Sequence, residues 1–120
     1  MITVNKTAET LQEGISNMLL GAKEDYERFT TRSPLEGISN YGQQQLDRWD
    51  DLIKVKEGKK YIKVIRDGGV FAFICKTDFK HFRKGDVLKP ASWNTPALNQ
   101  PRGNVLRGNY PIQWTGPLYL

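Results

Sequence analysis

A chain of 120 residues, 38% hydrophobic and 26% charged, with 18 Lys and Arg against 13 Asp and Glu for a net +5, has material for one core, length too short for two, and a charge that favours polyanionic partners. Its longest apolar run, Val70 to Cys75, is far below the roughly twenty residues of a membrane-spanning helix, and Met1 to Lys6 form no signal-peptide core. One cysteine, Cys75, and one histidine, His81, supply neither an internal disulfide nor a metal or haem ligand set, so a membrane, secretion and a cofactor are not expected and a reducing compartment is.

Charge divides the chain. Residues 1–52 hold five basic and nine acidic side chains, residues 53–120 thirteen basic and four acidic, an asymmetry that points to a polyanion on the basic half or to an acidic helical part neutralising a basic sheet. Leu11, Ile15, Met18, Ala22, Tyr26 and Phe29 recur at helical spacing and predict a helix over about 7–29. Gly14 and Gly21, seven apart on one face of it, fit either close approach of another backbone or local tolerance. Ser33-Pro34-Leu35-Glu36 reads as a helix start with Ser33 as cap, and a second helix is expected over about 40–52, with Tyr41, Gln45, Trp49 and Ile53 on one side and Gln43, Asp47, Arg48 and Asp51 on others. Trp49 is expected in the core.

The pattern then turns to strand. Residues 59–66 and 70–76, joined by Asp67-Gly68-Gly69, predict a β-hairpin, and a short third strand is expected at 86–89. Val70, Ala72 and Ile74 alternate with Phe71, Phe73 and Cys75, so both faces of the second strand need cover. Residues 90–120 carry five of the six prolines together with Trp93, Tyr110, Trp114 and Tyr119, the composition of an extended arm that either covers the second sheet face or clasps a neighbouring copy.

Glu57-Gly58-Lys59-Lys60-Tyr61-Ile62-Lys63-Val64, Gly85-Asp86-Val87-Leu88-Lys89-Pro90-Ala91-Ser92-Trp93, Pro96-Ala97 and Arg102-Gly103-Asn104 together resemble a family of small, mostly uncharacterised proteins of tailed bacteriophages. The resemblance covers about 57–104 and departs from the family pattern at 76–86, where a longer loop with two phenylalanines replaces a tight turn. It implies phage origin, with residence in the host bacterial cytoplasm or the virion, and no mechanism.

No catalytic set is evident. His81 is the one imidazole, Cys75 lies inside an apolar strand, Asp86 after Gly85 reads as turn chemistry, and Gly68-Gly69 lacks the helix and lysine of a phosphate loop. The candidate chemistry is a basic and aromatic surface for nucleic acid: Lys59, Lys60, Lys63 and Arg66 along one strand, Phe79, Lys80, Phe82, Arg83 and Lys84 in the following loop, and Arg102 and Arg107 in two Arg-Gly-Asn turns. Its counter-reading keeps the lysines as edge protection, the phenylalanines under the loop and the Arg-Gly-Asn repeats as turns. Trp93 and Trp114 are candidate partner anchors if exposed.

The fold expected is α+β: two N-terminal helices on an antiparallel sheet of about three strands, with a proline-rich C-terminal arm, in a single domain divided at 1–52, 53–89 and 90–120. The function expected is non-enzymatic nucleic-acid binding by a phage accessory protein. The alternative is a protein-interaction or structural module, either a virion component joined to further copies through the arm or an inhibitor of a host protein.

Overall fold

The computed structural model describes residues 1–33 and 35–118. Its elements are β1 (Ile2–Val4), α1 (Leu11–Thr30), β2 (Thr31–Ser33), β3 (Gly37–Ile38), α2 (Asn40–Asp47), a 3-10 turn (Asp50–Leu52), β4 (Ile53–Glu57), β5 (Tyr61–Arg66), β6 (Gly69–Cys75), β7 (Val87–Leu88) and β8 (Tyr110–Ile112). Two helices with antiparallel sheets make an α+β fold, as the patterning implies. The main sheet has four strands in the order β4-β5-β6-β7, one more than expected, because Ile53–Glu57 pairs along its whole length with β5.

Helix α1 starts where Thr10 accepts a hydrogen bond from Glu13 N, an N-cap that satisfies one of the free first-turn amides. Its stripe Leu11, Ile15, Met18, Ala22 and Tyr26 is buried, while Phe29, at the end of the same pattern, is exposed. Gly14 and Gly21 are close-approach positions: a Cβ on Gly14 would lie 2.6 Å from Val105 O, and one on Gly21 would meet Val4 and Ile112 at 3.0 and 3.1 Å.

Ser33, Leu35 and Glu36 form no helix. Ser33 Oγ does accept from Glu36 N at 3.0 Å, but the bond closes the turn of the β2–β3 hairpin; Pro34 lies outside the described residues. Helix α2 begins at a Ser39 cap whose Oγ accepts from Gly42 N and stops at Asp47, short of the expected 52. Its buried side is Gly42, Leu46 and then Trp49, with Tyr41 exposed.

The β5–β6 hairpin turns on Asp67 and Gly68, both at positive φ (49° and 78°), as a two-residue primed turn requires. The alternation of β6 is broken once: Val64 pairs with Ala72 and Ile65 with Val70, leaving Phe71 unpaired. This bulge lets Phe71, Ala72 and Ile74 join the inner core with Ile62, Val64, Val87 and the α1 stripe, and sends Val70 to the outer face with Phe73 and Cys75.

The C-terminal segment does not stand away as an arm; its start places Trp93 over Lys63 on the outer face, but most of the cover of that face comes from elsewhere. The loop 77–85 folds Phe82 and Phe79 over Phe73 and Cys75, whereas the C-terminal segment sends Val105, Tyr110 and Ile112 into the inner core and pairs β8 with β1. Apolar surface decides this: these side chains, stabilised by about 2 kcal/mol each on burial, have an unfilled α1 groove to enter. Tyr119 lies outside the described residues.

Candidate nucleic-acid interface

The outer face of the sheet carries an uncovered strip beside the loop. Cross-strand partners point to the same face, so the register Lys56 opposite Lys63 opposite Phe73 opposite Leu88 is one row across four strands. Lys54, opposite Ile65, is on the same side. Phe73 and Leu88 are the buried floor, and Lys63 reaches over Phe73, its Nζ 5.9 Å from the ring centroid, toward Trp93, whose centroid is 4.6 Å away.

Trp93 is held out on a short turn. Ser92 Oγ is 2.7 Å from Thr95 Oγ1 and accepts from Thr95 N at 3.2 Å, and Ala91 N donates to Thr95 O at 2.9 Å. The turn fixes the backbone while leaving Trp93 47% exposed. At the other end of the strip, Lys60 Nζ lies 4.4 Å from the Phe79 centroid, and Tyr61 bridges Phe79 and Phe73 with edge contacts at 5.8 and 5.9 Å. Burial raises the Tyr61 phenol, with Cys75 adding to the effect, so it is a neutral hydrogen-bonding group at physiological pH.

Among the described residues Lys54, Lys56, Lys60 and Lys63 form no ion pair. Lys56 and Lys63 stand directly opposite each other, an arrangement that is unfavourable without an anion between or above them. Such a strip can neutralise phosphates along its lysines and stack a base on Trp93.

The remaining expected residues divide. Arg66 has the parity of Ile62 and Val64 and turns inward, its guanidinium 4.3 Å from the Trp49 centroid and 5.7 Å from that of Trp114; burial lowers its pKa. It does not belong to the outer strip. Phe82 is fully buried, with the His81 ring stacked 4.0 Å away, and has no face for a base. Lys59, Lys80, Lys84 and Arg83 are exposed, though Arg83 is 3.6 Å from Asp78. Arg102 is spent internally, donating to Asn99 Oδ1 and Gln100 O at 2.6 Å and to Leu118 O at 3.1 Å. Arg107 is exposed beside a turn built by Asn104. Trp114 is half-buried against Tyr26 and Phe29.

Lys54, Lys56 and Tyr61 were not among the expected site residues. The signal for the lysines is Ile53-Lys54-Val55-Lys56, an alternation that marks a two-faced strand once Ile53 is released from the second helix. No group of His, Cys, Asp and Glu among the described residues is placed to hold a metal ion, and no described helix is long and apolar enough to cross a membrane. Compared with protein-family models, curated proteins and solved structures, the chain matches none.

Proposed function

We propose that this is a non-enzymatic accessory protein that binds single-stranded nucleic acid on the outer sheet face, with phosphates at Lys54, Lys56 and Lys63 and a base on Trp93. The observation that carries the reading is Lys56 directly opposite Lys63, neither with a carboxylate partner among the described residues and Lys63 held by Asn94 Oδ1 at 3.5 Å, beside an exposed tryptophan. A single strand is favoured over a duplex because stacking on Trp93 needs an unpaired base, and contacts of this kind select charge and ring faces over sequence.

Fluorescence anisotropy with labelled single-stranded DNA, duplex DNA and RNA over a salt series tests it. Three or four phosphate contacts give a log–log salt slope of about −2 to −3 for a single strand. Lys56→Glu with Lys63→Glu is expected to flatten that slope by more than one, and Trp93→Ala to weaken binding by about 1–3 kcal/mol with the slope unchanged. Absence of binding at low salt, or binding indifferent to all three substitutions, rejects this face.

A further inference from the structure

The inner side and free edge of β4 have a feature that nucleic-acid binding does not use, although the edge shares Lys54 and Lys56 with the proposed phosphate sites. The sheet order leaves β4 as an edge. The bonds flanking its pairing with β5, Asp67 N to Leu52 O at 2.9 Å and Gly58 N to Tyr61 O at 2.8 Å, fix the antiparallel phase: Lys54 and Lys56 turn their backbone groups toward β5, while Val55 and Glu57 turn theirs outward. Val55 also points its half-exposed side chain to the inner face, where Ile15, Leu19, Leu20, Ile53, Val55 and Ile62 line a groove of about 650 Å³ between α1 and the strand. Leu20 on its rim is 61% exposed. The outer side of the same edge presents Lys54 and Lys56.

These three properties specify one kind of occupant. An unpaired strand edge takes a strand; a groove below it takes that strand's inward residues if they are apolar; lysines above it take the outward residues if they are acidic. The geometry points to β4 as the docking edge for an extended segment of another protein that alternates apolar and acidic residues, added antiparallel or parallel as a fifth strand. A second copy of this chain does not fit. Antiparallel self-pairing about Val55 that keeps the sheet faces aligned sets Lys54 opposite Lys56 of the other copy, a like-charge match of the kind that guards edges against self-association.

The test uses the intact chain and a capped heptapeptide alternating glutamate with valine, with a lysine–valine heptapeptide as control, followed by amide chemical shifts and by titration. The glutamate peptide is expected to bind at least about tenfold more tightly than the control, with the largest shifts at the Val55 and Glu57 amides. Val55→Pro removes an outward N–H while sparing the bonds to β5, a position where an edge strand tolerates proline, and is expected to abolish binding. Lys54→Glu with Lys56→Glu is expected to invert the preference between the two peptides and decides the matter should Val55→Pro fail to fold. Equal affinity for the peptides, undiminished binding by folded Val55→Pro, an unchanged preference after charge reversal, or a dimer that Val55→Pro dissolves each overturns the proposal.

Discussion

Asn104 shows how one side chain fixes a turn that composition alone describes as irregular. Its Nδ2 donates to Asp86 Oδ1 at 2.9 Å and to Lys84 O at 3.0 Å, and its Oδ1 accepts from Leu106 N and Arg107 N at 2.9 and 3.1 Å. Both Asn104 and Asp86 are buried, so every one of these bonds replaces water. Asn104→Asp keeps the shape, removes both donors and sets a second carboxylate against Asp86. The expected loss is about 3 kcal/mol at neutral pH, and it shrinks as pH falls, because paired buried carboxylates share a proton at raised pKa. Urea unfolding of the variant at neutral and acidic pH checks both parts; a variant as stable as the parent at neutral pH refutes the role. Cys75 makes the opposite pH prediction. Burial first, and Asp86 second, push its thiol from the ordinary 9.0 up to about 12. The folded chain holds the protonated form, so the contribution to stability is complete below 9.0 and is lost as pH rises from 9.0 toward about 12. Cys75→Ala is expected to have a shallower alkaline fall in its urea midpoint, by one proton's worth of slope, and the native thiol is expected to resist alkylation.

At the scale of elements, the helix glycines separate propensity from packing. Alanine at position 14 gains up to about 1 kcal/mol of helix propensity, yet its Cβ would sit 2.6 Å from Val105 O and 2.8 Å from Val105 Cβ, where overpacking costs about 1–3 kcal/mol. Gly14→Ala is therefore expected to lower the melting temperature despite its better propensity, and a rise would show that residues 104–106 yield freely. Local periodicity makes α1, the β5–β6 hairpin and the buried Trp49 legible in the sequence, because each is specified by residues three, four or two apart. What is illegible comes from contacts across the chain. Ser33 makes the same bond in a hairpin turn as in a helix cap, so its chemistry does not distinguish the two. The bulge at Phe71 depends on register with Val64 and Ile65, and strand β4 hides behind a helical pattern that Trp49 continues past the end of α2. The candidate site is legible in part: strand alternation puts Lys63 and Arg66 on opposite faces, so parity alone separates them, whereas Trp93 over Lys63 and the covering of Cys75 by Phe82 depend on where two loops land.

On the scale of the whole molecule, the sheet divides two tasks between its faces: the inner one holds the core and the outer one presents cations. The acidic first half lies largely in α1, α2 and the turns after them, so the charge asymmetry of the sequence follows the division between the helical part and the main sheet. From Arg102 onward the C-terminal segment belongs to the inner side. Arg102 N and Gly103 O bond to Val87 on both of its backbone groups at 2.8 and 2.9 Å, Trp114 N donates to the buried Asp25 carboxylate at 3.0 Å, and β8 supplies the only partner of β1 among the described residues. Truncation after Lys89 removes Val105, Tyr110 and Ile112, each at most 3% exposed. At about 2 kcal/mol or more apiece, their loss alone approaches the about 5–15 kcal/mol that holds a domain of this kind together. The orphaned β1, the exposed flank of α1 at Gly14 and Gly21 and the unpaired backbone of Val87 add to it. The truncated chain is therefore expected to lose its cooperative thermal transition, measured by circular dichroism and near-ultraviolet fluorescence. A truncated chain that melts at the parent temperature would mean that residues 90–118 lie on a finished core, and would return them to the role of a segment available to another molecule.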